Sequence, residues 1–325
     1  MANVKPPQTR RGERRGLRAR LASAARAAVI ATLAGPLPGL AQAVGPDTPA
    51  THASGGFNES PRVPAAIHAS RAITLTPHIT ELVFAAGAGS HIVATVISSD
   101  YPPAAAGIPK IGDGLNVSLE KALTLNPDLV IGWHDSGAAR TLAPSLARLH
   151  IPLIYSSPKT LADIPEQIQR FGQIFNTQAT AGPAARALRQ RIHSLQEKYA
   201  HAQPVTVFIE VGASPLYTIG RDPLLNNVLH TCGGVNLFAG TQAAAPQIDA
   251  ETLIVKQPDA IITTEPSPAR YRQRIQDWTR LQLAAARNHH VYNVNPDWLF
   301  RPGPRLVDAA EALCADLDEA RRKQQ

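Results

Sequence analysis

The chain lacks the short motifs that announce catalysis. It has no Gly-x-Ser-x-Gly elbow, no phosphate-binding loop ending in Lys and Ser or Thr, and no His-Glu-x-x-His pair. Gly87-Ala88-Gly89 closes a helix-like run instead of opening one, so it is no dinucleotide fingerprint. The apolar run near the start of the chain, AARAAVIATLAGPLPGL, is too short and too proline-broken for a stable membrane span. Aromatics make up only 5% of the residues, and cysteines number two, Cys232 and Cys314. An even pair of cysteines in an exported chain reads as one disulfide, with two buried thiols as the alternative.

A genuine excess of one charge is also missing. The formal net charge is +7, but much of it sits at the start. An Arg-rich opening (Arg10, Arg11, Arg14, Arg15, Arg18, Arg20) precedes a short apolar run broken by proline, and then Ala41-Gln42-Ala43. This is the order of a cleavable signal peptide, predicted over 1–43 with cleavage after Ala43. A basic nucleic-acid arm is the alternative for this stretch. Removing its eight basic residues and one acid leaves 24 of each sign, so the mature chain is formally neutral and no nucleic-acid partner is expected. No cysteine stands just after the predicted cleavage site to carry a lipid. Residues 44–69, rich in Pro, Gly, Ser and Thr, read as a flexible leader.

From Arg71 onward, strand-like and helix-like segments alternate: RAITLT, ITELVFAAGAG, HIVATVI, SLEKALTLN, PDLVIGW, TLAPSLARLH, IPLIYS. That rhythm predicts parallel sheets with helices on both faces. Near the middle, Ala184, Ala185, Leu188, Ile192, Leu195 and Tyr199 recur at helical spacing over Pro183–His201, with Arg186, Arg189, Gln190, His193 and Glu197 opposite. Thr180 or Gly182 is the expected cap, with Pro183 in the first turn. About nineteen residues make a rod of about 28 Å.

SLEKALTLNPDLVIGW (118–133) superposes on DAETLIVKQPDAIITT (249–264) without a gap, matching Glu120 with Glu251, Pro127 with Pro258 and Asp128 with Asp259. The repeat places one such unit on each side of the rod. The reading is an α/β protein of two similar lobes joined by one long rigid helix. The lobes are 70–176 and 204–325, and the connecting helix is 177–203.

Candidate site residues are aromatics in loops after strands: Tyr101, Trp133, Tyr217, Trp298 and Phe300. In open α/β sheets, ligands bind beyond the carboxyl ends of strands, so these positions are expected to line a cleft between the lobes. His134, Asp135 and Asp297 are the residues that a metal-dependent hydrolase would use, although their spacing fits no standard zinc pattern.

With ITLTPHITELVFAAG, SDYPP, SLEKALTLNPDLVIGW, LLNNVLHTCGGVNLF, PQIDAETL and PDWLFRPGPRLVDAAEALC in view, the chain from about Arg71 to its end resembles the periplasmic cobalamin-binding proteins of ABC importers. The first and third stretches are shared with haem- and siderophore-binding relatives. SDYPP, the Asp-Trp-x-x-Arg stretch and the cysteines are closer to the cobalamin branch. The resemblance implies the helical-backbone type of periplasmic binding protein: a monomer, not an enzyme, with no resident cofactor. Its cargo would be cobalamin or a related corrinoid, and its partners an inner-membrane ABC permease and its ATPase. Haem, with Tyr101 or His134 as axial ligand, or a ferric siderophore held by Arg301, is the alternative cargo. The resemblance also implies ligand contacts at Tyr101, Trp133, Asp297 and Arg301, permease docking at Glu120 and Glu251, and a Cys232–Cys314 disulfide. Gly114 and Ala245 stand where better-known members carry tryptophans around the cleft.

Overall fold

The computed structural model describes residues 67–322. The predicted signal peptide over 1–43, its predicted cleavage site and residues 44–66 of the predicted leader lie outside the described residues; of the leader's last residues, Ala69 is buried against the first lobe.

The first lobe runs β1 (Ala72–Thr74), α1 (Pro77–Ala85), β2 (Ile92–Ala94), α2 (Leu119–Thr124), β3 (Leu129–Gly132), α3 (Gly137–Arg148), β4 (Leu153–Tyr155) and α4 (Asp163–Ile174). Its strands form one parallel sheet in the order β2-β1-β3-β4. All are short; β1 and β3, in the middle of the sheet, are fully buried, as expected of strands covered on both faces, and the outer strands β2 and β4 are partly so. After the connecting helix α5 (Gln178–Tyr199) come β5 (Val205–Ala213), β6 (Leu216–Thr218), α6 (Pro223–Thr231), β7 (Gly234–Asn236), α7 (Ala250–Lys256), β8 (Ala260–Thr263), α8 (Pro268–Arg280), α9 (Ala284–Arg287), β9 (Val291–Asn293), α10 (Pro296–Leu299) and α11 (Arg305–Arg322). The second sheet is parallel through β7, β5, β8 and β9, and β6 turns back antiparallel on the end of β5. The three-residue strands β6 and β7 are too short to show a period in sequence.

Alternate strand residues serve different layers. Ala72, Leu129, Ile131, Val207, Ile209 and Ile262 join one core that also holds Ala185, Leu188 and Ile192 of α5, so a single apolar cluster runs through the connecting helix. Ile73 and Val130 face a separate cluster under α3, and Phe208 and Ile261 face another around Trp278.

The connecting helix differs from expectation at its start. It begins at Gln178, after Thr177, which makes no side-chain cap, and Pro183 lies inside it. Its 22 residues make a rod of about 33 Å. Tertiary packing holds the extra turn: Gly172 of α4 lets Ala181 come so close that a Cβ at 172 would sit 2.4 Å from the Ala181 methyl. Arg189 donates to Gln169 of α4 at 2.6 Å, while Arg191 pairs with Asp308 and Glu311 of α11 at 2.6 and 2.7 Å. One helix is thus pinned to both lobes. The repeat shares its capping and turn chemistry between the lobes. Ser118 caps α2 and Asp249 caps α7; Asn126 and Gln257 both take left-handed backbone; and Asp128 and Asp259 each accept a backbone N–H and a hydroxyl, from Ser70 just before β1 and from Thr206 in β5.

Candidate ligand-binding cleft

The carboxyl ends of β3 and β4 carry loops that meet the start of α6 and the loop after α10. Between them lies a cavity of about 430 Å³. The first lobe contributes Trp133, His134, Ser157, Pro158 and Lys159; the second contributes mainly aliphatic and aromatic groups, including Leu224, Leu225, Leu299 and Phe300. Trp133 and His134 also line a neighbouring space of about 280 Å³ bounded by Gly114 and Leu115. Asn227 of α6 accepts the Leu161 N–H at 2.9 Å, one direct tie between the lobes beside the cavity.

Trp133 is 38% exposed, so an apolar face remains open to a ligand. His78 supports it from below, with ring centroids 5.0 Å apart in an edge contact, and His134 lies against it at 5.1 Å. His78 is fully enclosed, and burial drives its pKa down to about 3. It is therefore a neutral packing group. His134 accepts or donates with Ser136 Oγ at 2.7 Å.

The charged residues form a separate constellation. Arg301 pairs with Asp100 and Asp297 at 2.7 Å each and approaches Glu81 at 3.6 Å. Arg305 grips both oxygens of Glu81, at 2.9 and 2.6 Å, and its guanidinium lies 4.2 Å over the Tyr101 ring. The Arg301 hydrogen bond holds the Asp100 carboxyl below its ordinary range. Glu81 and Asp100 come from one lobe, and Asp297, Arg301 and Arg305 from the other, so the cluster is an electrostatic bridge.

The profile of the periplasmic binding protein family matches residues 73–298. The chain belongs to the periplasmic binding protein family. It is 36% identical over 255 residues to the vitamin B12-binding protein of Vibrio cholerae, covering 78% of this chain and 91% of that one. The crystal structure of the periplasmic vitamin B12 binding protein BtuF of Vibrio cholerae superposes with a TM-score of 0.71, over 78% of this chain and 98% of that chain. The periplasmic heme-binding protein RhuT from Roseiflexus sp. RS-1, at 24% identity and a TM-score of 0.66 over 77% of this chain and 98% of its own, shares the fold.

In this binding protein the expected site residues separate into groups. Trp133 lines the cavity. Leu299 and Phe300 turn toward it, whereas their neighbour Trp298 is half-buried against the core. Tyr101, Asp297 and Arg301 belong to the bridging cluster. Tyr217 stands on β6 opposite Gln247 and is not among the cavity's lining residues. His134, Asp135 and Asp297 do not converge: among the described residues, no three His, Cys, Asp or Glu side chains come together as a metal site. Ala245 lines the main cavity and Gly114 the smaller one. Gly114 has φ +93°, a left-handed conformation that disfavours any side chain. Lys159 lies in a loop with no distinguishing motif, and Leu224 and Leu225 open the LLNNVLHTCGGVNLF stretch without themselves signalling a ligand contact. Their position just after strands was the one available signal.

Glu120 and Glu251 are both exposed, each in the first turn of its short helix. Neither carboxylate has an ion-pair or hydrogen-bond partner among the described residues. Cys232 and Cys314 are bonded, fastening the end of α6 to the middle of α11.

Proposed function

We propose that this protein captures vitamin B12 or a related corrinoid between its lobes in the periplasm and delivers it to an inner-membrane ABC importer. The observation that carries the reading is the largely apolar two-lobed cavity around Trp133 in a chain 36% identical to vitamin B12-binding proteins. A corrin is broad, with apolar faces and an amide rim. Trp133 and Phe300 offer it flat apolar surface, and the bridging cluster beside them offers donors and acceptors to amides. Tyr101, Trp133, Tyr217, Asp297, Trp298 and Arg301 are the proposed contacts. Glu120 and Glu251, one per lobe, are proposed to dock on basic residues of the permease. Capture and release require binding without turnover, and the doubly pinned α5 keeps closure small.

Calorimetry of the mature protein against cyanocobalamin, haemin and a ferric siderophore tests this. Stoichiometric binding of cyanocobalamin at micromolar protein is expected. Binding of haemin or the siderophore alone would overturn the corrinoid assignment.

A further inference from the structure

A cobalamin carries one group that an apolar pocket handles badly, the anionic phosphodiester of its nucleotide loop. Desolvating an unpaired phosphate is costly, so a cation or a set of free donors must meet it. The cleft region presents four choices. Arg301 and Arg305 are already shared among Glu81, Asp100 and Asp297, two positive groups against three negative. The start of α6 points at the cavity, yet its first turn is occupied by the Asp222 carboxylate, which accepts from Leu225 N–H at 2.9 Å. His134 is engaged with Ser136.

The fourth is Lys159. It lines the cavity, is exposed, and its ammonium group has no hydrogen-bond or ion-pair partner among the described residues. Its backbone is fixed: Asp163 accepts from the N–H groups of Lys159 and Thr160 at 2.7 and 3.0 Å and from the Thr160 hydroxyl at 2.8 Å. The result is a free cation on a held loop at the rim of an apolar chamber. We propose that Lys159 is a specificity-determining residue that pairs with the phosphodiester, so that the cleft distinguishes complete corrinoids from those lacking the nucleotide loop. This rests on the corrinoid reading above.

The test compares cyanocobalamin with dicyanocobinamide, a corrinoid without the phosphodiester, on the wild-type, Lys159→Gln and Lys159→Arg proteins. Lys159→Gln is expected to weaken cyanocobalamin about tenfold and leave dicyanocobinamide unchanged, with Lys159→Arg retaining most of the preference. Added salt should weaken cyanocobalamin binding in the wild type more than in Lys159→Gln. Wild-type protein that binds both corrinoids, with an affinity ratio unaltered in Lys159→Gln, overturns the inference alone. Wild-type protein that binds neither overturns the corrinoid reading and the inference with it.

Discussion

Arg301 and Asp100 are joined by a 2.7 Å charge-assisted hydrogen bond that connects the two lobes. Asp100 is the outer member of the bridge, its side chain 61% exposed, whereas Glu81 beneath it is 1% exposed and serves both arginines. Burial sets their different worth. An exposed carboxylate contributes little because water replaces it; losing the buried Glu81 leaves the Arg305 guanidinium without its carboxylate partner, while Arg301 keeps Asp100 and Asp297.

Accordingly, Asp100→Ala is expected to lower unfolding free energy by no more than about 1 kcal/mol. Glu81→Ala should cost about 3–5 kcal/mol. Chemical denaturation of the two variants measures the contrast, and equal effects would contradict the burial argument.

Trp133 presents its open face to the cavity, supported from behind by His78. Trp133→Ala is expected to reduce corrinoid affinity about tenfold, equivalent to about 1.4 kcal/mol, while leaving the thermal midpoint nearly unchanged. Titration calorimetry and a thermal scan read the two quantities separately.

His78 gives the protein an acid sensitivity. Its folded pKa of about 3 lies below the ordinary 6.5, so below pH 6.5 the unfolded chain takes a proton that the folded one refuses. The stabilisation is complete above pH 6.5 and is lost as pH falls toward 3, at up to about 1.4 kcal/mol per pH unit. In His78→Phe, which keeps a ring against Trp133, the decline in midpoint between pH 6.5 and 4 should be shallower than in the wild type.

The two small residues at the cleft should respond differently to enlargement. Ala245→Trp is expected to fold with an unchanged midpoint. Gly114→Trp places a side chain at φ +93° and should lose about 1–3 kcal/mol. Thermal denaturation of the pair decides this.

Reversal of both Glu120 and Glu251 to Lys should abolish transport in cells dependent on corrinoid uptake while leaving corrinoid affinity intact. Loss of affinity together with transport would place these residues in the pocket or the fold instead of at a docking surface.

Much of the architecture was legible in the amino-acid order because it rests on local chemistry. Strand–helix alternation, the helical stripe ending at Tyr199 and the repeat around Pro127-Asp128 and Pro258-Asp259 each follow from hydrophobic period, capping or turn geometry within a few residues. The start of α5 was not legible: Pro183 is a helix-start signal, and it was overridden because Ala181 packs against Gly172 in a different helix.

The site divided along the same line. Sequence alone determined that a tryptophan ends β3, that an Asp-Trp-x-x-Arg stretch lies near the last helix, and that two glutamates occupy equivalent positions. Only the tertiary structure decided that Arg301 is committed to Asp100, Asp297 and Glu81 while Lys159 lines the cavity without a partner among the described residues. The partners of Arg301 include Asp100, 201 positions away. Whether a charge is neutralised or available depends on which side chains the fold brings within a few ångströms, and that distance is not written in sequence spacing.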